Sequence, residues 1–157
     1  MADGVFNVSK GRGAEFHERV NNSDPTNAAL VVVLLATSGL VADSVMKDYA
    51  TLADVTGGAS NEATNTNYAR KVLTDADVAA ISVDNTNDWV VADAADQTWS
   101  SVANDGTGAI SKLLFCYDSD TTGGTDSGII PITYHDFVVT PNGGNITAAI
   151  ANYFKAA

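Results

Sequence analysis

Two histidines, one cysteine and one run of aspartates are the side chains of this 157-residue sequence whose types and spacing could carry chemistry. His17 stands in His-Glu-Arg with no second histidine four residues on, so the paired ligands of a zinc-protease helix are missing. His135 lies between Tyr134 and Asp136. A His–Asp pair can polarise a nucleophile, but neighbours in a strand point to opposite faces, so adjacency does not couple them. Both histidines read as core or edge residues with their ring nitrogens satisfied by hydrogen bonds. Cys116, between Phe115 and Tyr117, has no basic neighbour to favour a thiolate and reads as a buried, inert thiol. No serine sits in Gly-x-Ser-x-Gly, and no glycine-rich loop ends in Gly-Lys-Ser/Thr. The expectation is a protein that is not an enzyme and needs no cofactor.

The aspartate run has more to offer. Asp118-Ser-Asp120-Thr-Thr122-Gly123-Gly-Thr-Asp126 places carboxylates at positions one and three, an oxygen at five and glycine at six, as an EF-hand loop does. Position twelve, where a bidentate glutamate belongs, is Ile129. The segment also joins two predicted strands, so an acidic hairpin loop is the alternative to a calcium site.

The elements that must position these residues are mostly strands. Leu30 to Leu35 is β-branched and uninterrupted, which predicts a strand buried on both faces at the centre of a sheet. Further strands are expected over 68–73, 78–83, 88–92, 97–102, 109–117, 129–134, 137–140 and 146–154, separated by Asp, Asn, Thr and Gly. This spacing predicts a mainly β protein, an antiparallel β-sandwich or barrel-like domain with one or two short helices. The best helix candidate is Ser44 to Val55, capped by Asp43 or Ser44 and ended by Gly57; Ala14 to Val20 allows one or two more turns. The expected core includes Leu30, Val32, Leu34, Leu113, Phe115, Ile130 and Ile132. Residues 1–25 read as a peripheral N-terminal arm and 26–157 as a single β-rich domain. Residues 56–67, with almost nothing to bury, read as a second, polar arm.

Composition limits the partners. The chain has 19 acidic and 8 basic side chains, a net charge of -11, and 16 of the acids are Asp. Nucleic-acid binding through phosphates needs clustered Lys and Arg, so repulsion from DNA, RNA and anionic membranes is expected. One cysteine cannot close an intramolecular disulfide, which suits a reducing cytoplasm. No secretory signal is visible at the start, and the longest apolar run, Ala28 to Ala36, is about half of what a membrane helix needs. Lys10 with Arg12, and Arg70 with Lys71, form two basic spots beside the two predicted arms. They are the candidate anchors on a partner, or else they solubilise the surface or pair within the chain.

Taken in order, several segments resemble small virion proteins of tailed bacteriophages. The resemblance runs through Lys10-Gly-Arg12 with Phe16, the strand Leu30 to Leu35, and Glu62…Tyr68-Ala-Arg70-Lys-Val-Leu73. It continues through Ile110 to Asp118 and Ile129 to Tyr134, then Val139-Thr-Pro141-Asn-Gly-Gly144-Asn-Ile146. At the C-terminus this chain has Ala148-Ala-Ile-Ala-Asn-Tyr153-Phe where such proteins tend to carry a Trp-containing strand, which leaves room for a partly helical end. The resemblance implies a non-enzymatic decoration (cement) protein on the outer capsid surface. Such a protein would be made in the host cytoplasm, bind the major capsid protein as a homotrimer at local three-fold positions, and stabilise the head. A tail or head-fibre component that touches the host is the alternative.

Overall fold

The computed structural model describes residues 3–58 and 60–156. Among the described residues, ten strands and three short α-helices follow one another. They are β1 (Gly4–Val5), α1 (Gly13–Asn21), β2 (Ala29–Ala36), α2 (Asp43–Met46), α3 (Leu52–Thr56), β3 (Lys71–Leu73), β4 (Ser82–Asp84) and β5 (Trp89–Ala92), then β6 (Gln97–Trp99), β7 (Ile110–Asp118), β8 (Ile130–Val139), β9 (Ile146–Ala148) and β10 (Phe154–Ala156). The main sheet has five strands in the order β1-β8-β7-β2-β3; β10-β5-β4 and β6-β9 form two smaller sheets. Every strand pair is antiparallel. With β1 and β3 as its edges the main sheet does not close into a barrel, and the arrangement is sandwich-like.

The central run behaves as its composition requires. All eight residues of β2 are buried. Leu30, Val32 and Leu34 face one layer, packed with Phe16 and Val20 of α1 and with Ala92, Trp99, Ile146 and Phe154 of the smaller sheets. Val31, Val33 and Leu35 face the other, packed with Phe6, Met46, Leu52 and Val55. A strand covered on both sides shows no polar alternation, and each such side chain contributes about 1.5–3 kcal/mol by burial. β7 lies beside it in register from Ala29↔Asp118 to Leu35↔Lys112, so Leu113, Phe115 and Tyr117 join the first layer and Leu114 and Cys116 the second. Of the expected core, Ile130 alone is only half buried.

One irregularity sets which residues share a face. Phe115 pairs with Thr133 and Cys116 with Pro131, so β8 holds one extra residue, Ile132, at a bulge. Beyond it, Thr133, His135 and Phe137 lie on the side of Phe115, while Tyr134 lies with Leu114 and Cys116. The two strands expected over 129–134 and 137–140 are one continuous β8.

The expected helix 44–55 is broken in two. Thr51 is extended (φ -132, ψ 158) and opens α3 with a reciprocal cap: its hydroxyl accepts from Asp54 N–H at 3.1 Å and its own N–H donates to Asp54 Oδ2 at 3.0 Å. A residue committed to a cap starts a new helix and cannot continue an old one. The buried positions are Met46, Leu52 and Val55, whereas Val45 is exposed. Gly57 ends α3 as expected, because a Cβ there would meet the Ala53 carbonyl oxygen at 2.4 Å. The C-terminal segment carries no helix: Asn152 turns at φ +61 between β9 and β10.

Residues 3–25 are part of the domain. Phe6, Phe16 and Val20 are core residues, Phe6 N–H donates to the Ile132 carbonyl, and Ser9 Oγ donates to the Pro131 carbonyl. The reading of a peripheral arm missed this because three core residues spread over fifteen positions show no clear period, yet Phe6 reaches one layer and Phe16 and Val20 the other. Residues 1 and 2 of that segment lie outside the described residues.

Candidate functional site

The four candidate anchors fare differently. Lys10 is exposed in the turn before α1. Arg12 is exposed too, but its guanidinium pairs with Glu15 at 3.0 Å and lies 4.5 Å from the centre of the Phe16 ring. Hydrogen bonds from Arg12 and Arg19 hold the Glu15 carboxyl down to about 2. Lys71 is half buried on the edge strand β3, its ammonium 5.7 Å from the Trp99 ring centre.

Arg70 pairs within the chain. Its guanidinium donates to both oxygens of Glu62, at 2.8 and 2.6 Å, and to both oxygens of Asp126, at 2.6 and 2.7 Å. Tyr68 OH donates to the same Glu62 and accepts from Leu34 N–H, each at 3.0 Å; burial, first, and the Glu62 charge push its phenol up. Two bidentate pairs use the planar fork fully. The clamp ties residues 62–70 at one edge of the main sheet to the loop before β8.

This clamp supplies a measurable acid response. Arg70 hydrogen bonds hold Asp126 below the ordinary carboxylate value, so its contribution is complete above that range and is lost as pH falls through its lowered value. Arg70→Met is expected to cost about 1–3 kcal/mol at neutral pH, since the group is partly solvated. Urea titrations between neutral and strongly acid pH should also show a shallower acid limb for this variant than for the parent. Parallel limbs would remove the clamp from the acid response.

Over 60–67 the expected polar arm is a loop held by its own side chains. Asn65 is buried, and its Nδ2 lies 2.8–3.0 Å from the carbonyl oxygens of Ala103, Asp105 and Gly108. Thr66 gives both its N–H and its hydroxyl to Asp105, and Asn67 Nδ2 donates to the Ser101 carbonyl. Polarity here signals side chains that stand in for a ladder, a use that composition does not distinguish from mobility.

The carboxylates of the acidic loop accept from groups within the chain. Asp118 Oδ1 accepts from Asp120 N–H, Asp120 Oδ1 from the N–H and hydroxyl of Thr122, and Asp126 is committed to Arg70. Among the described residues no group of three or more His, Cys, Asp or Glu side chains is placed to hold a metal. The segment 118–126 lies in the loop that joins the antiparallel strands β7 and β8.

The histidines and the cysteine lie where the sequence reading put them. His17 is fully buried, with Nδ1 2.9 Å from Tyr153 OH and Nε2 2.6 Å from the Ala79 carbonyl oxygen. His135 Nε2 is 3.0 Å from Thr133 Oγ1 and Nδ1 is 3.4 Å from Asp3 Oδ2, on the face away from Asp136. Cys116 is fully buried, and that burial raises its thiol.

Three features escaped the sequence reading. The first is Lys112, which is completely buried, with Nζ 2.7 Å from Asp136 Oδ1 and 2.9 Å from Asp43 Oδ1. Burial alone would lower this ammonium's pKa, but the two carboxylates that face it, Asp136 and Asp43, outweigh it and the pKa is raised. The one available signal was a lysine inside an otherwise apolar strand. The second is a cavity of about 530 Å³ between β1, β8 and the stretch 148–155, floored by Phe115 and Tyr153 and rimmed by Asp3, His135 and Lys155. The third is a set of exposed valines on strands with open sides. Val72 lies on β3 and Val83 on β4, each strand an edge of its sheet, while Val138 is 78% exposed on β8, where among the described residues β1 pairs with Thr133 and Tyr134 and Asp3 Oδ1 accepts from Asp136 N–H. Such edges offer unpaired backbone groups with an apolar residue among them.

No helix among the described residues is long and apolar enough to cross a membrane. No protein-family model, no curated protein and no solved structure matches the chain.

Proposed function

We propose that this chain is a non-enzymatic virion protein, a decoration protein that sits as a homotrimer on the outer surface of a tailed-phage capsid and stabilises the head. The observation that carries this reading is the open outer edges of β3 and β4, each with an exposed valine, together with the exposed Val138 of β8. Edges of this kind are suited to strand addition by a neighbouring chain. The resemblance of the ordered segments to virion proteins supports it. So does the net charge of -11, which repels packaged DNA and makes an outer position easier than a luminal one. Lys10, Arg12 and Lys71 are the remaining basic contacts toward the major capsid protein; Arg70 holds the fold.

The test is the protein's place in purified particles and its occupancy on empty, DNA-free shells. The parent should be found in the head shell. Lys10→Ala/Arg12→Ala/Lys71→Ala should lower occupancy more at low salt than at high salt, and Val72→Lys/Val138→Lys should lower it at both. A protein absent from the head shell sinks the reading.

The cavity favours a second reading, a tail or head-fibre component that contacts the host. Its volume lies within the range of small-ligand sites, and polar groups converge on an apolar floor. Recovery of the chain with tails, and not with heads, decides for it.

A further inference from the structure

Lys112 is the one lysine or arginine that the described residues bury completely. It pairs directly across the strands with Asp136, so two backbones hold its amine against that carboxyl, 2.7 Å from Oδ1. A second carboxyl comes from the start of α2: Asp43 Oδ1 is 2.9 Å from Nζ, buried, and not aligned for a hydrogen bond to it or to any other donor. The Tyr134 ring closes the site, 5.2 Å from Nζ. An amine, a carboxyl in contact with it, and a second carboxyl able to carry protons are what amide formation needs.

We propose that Lys112 Nζ and Asp136 Cγ condense to an intramolecular amide that ties β7 to β8 through their side chains, with Asp43 carrying the protons. The step starts from the ammonium and two carboxylates. Asp43 takes a proton from Nζ, and the freed lone pair attacks Cγ of Asp136. Asp43 returns that proton to one oxygen of the tetrahedral centre, and the second Nζ proton follows the same route to the same oxygen. The Cγ–O bond breaks, water leaves, and Asp43 is a carboxylate again. One ammonium and one carboxylate become one neutral amide and one water, with no oxidant or co-reactant.

Two physical facts favour the step. Groups held in reacting geometry behave as if present at an effective concentration on the order of 10⁵ M or more. Condensation also removes two charges from a site where Nζ has no contact with water, which relieves the cost of keeping them there. Because the amine starts as a well-held ammonium, the reaction is slow and completes after folding.

The test is the intact mass of the full chain, freshly purified and after days of warm incubation, followed by tryptic digestion of the denatured protein. The expected result is a gradual loss of one water and a loss of cleavage after Lys112, so that residues 72–155 stay together as one peptide. Succinimide formation at Asp3-Gly4 or Asp105-Gly106 also loses water, but leaves cleavage after Lys112 intact. Lys112→Arg should keep full mass. Asp136→Asn should lose ammonia in place of water, and Asp43→Ala should react far more slowly than the parent. Full parental mass with complete cleavage after Lys112 overturns the proposal, as does an equal loss of water in Lys112→Arg; an unslowed Asp43→Ala overturns the role given to Asp43.

Discussion

Lys112→Ala is expected to destabilise the fold by about 3–5 kcal/mol, because it removes the buried cation that two carboxylates share. Asp43 on α2 and Asp136 on β8 both end at Nζ, so the lysine joins the helical layer to the main sheet. The measurement is urea unfolding of freshly purified protein that still has its full mass. A companion variant separates the causes. Lys112→Met with Asp43→Asn and Asp136→Asn removes all three charges, and should recover a large share of the loss, since replacing a buried ion cluster by neutral groups is often close to neutral. If the triple variant is as unstable as Lys112→Ala, packing by the lysine stem, and not unpaired charge, is the cause.

Phe115→Ala is expected to cost about as much, roughly 3–5 kcal/mol, by a different route. The ring is buried where the main sheet meets the C-terminal segment, stacked on Tyr153 at 4.4 Å between centres and edge-on to His135 at 5.9 Å. Tyr153 in turn holds His17 of α1 through its hydroxyl, so one ring supports two layers. Its loss would also enlarge the neighbouring cavity, which the surrounding side chains line already. For a chain of this size the melting temperature should fall by about 6–20 °C. Phe115→Leu, which keeps a branched apolar side chain, should lose about half as much stability. An alanine variant within about 1 kcal/mol of the parent would falsify the role of this ring as a joint between the layers.

Much of the β architecture was legible in the residues. The two-sided burial of Leu30 to Leu35, the alternation of β7, and the burial of Cys116 all follow from side-chain type and local period. The helix boundaries were not legible. Thr51 with Asp54 forms a cap signature inside a stretch whose apolar spacing also fits one longer helix, and the cap prevailed. Segments 1–25 and 56–67 were misjudged for opposite reasons. The first uses a few scattered apolar residues, and the second uses Asn and Thr as backbone partners.

The sequence by itself determined what each strand had to bury, because burial on one face or two is written in residues adjacent along the chain. It also determined the acidic surface, since charge is a sum over residues. Only the tertiary structure decided which charges meet. Arg70 reaches Asp126 and Lys112 reaches Asp43 across 56 and 69 positions, and the bulge at Ile132 decides that Asp136 and not His135 faces Lys112. The physical reason is that a side chain's facing depends on local period, whereas its partner depends on sheet order and on one extra residue in one strand.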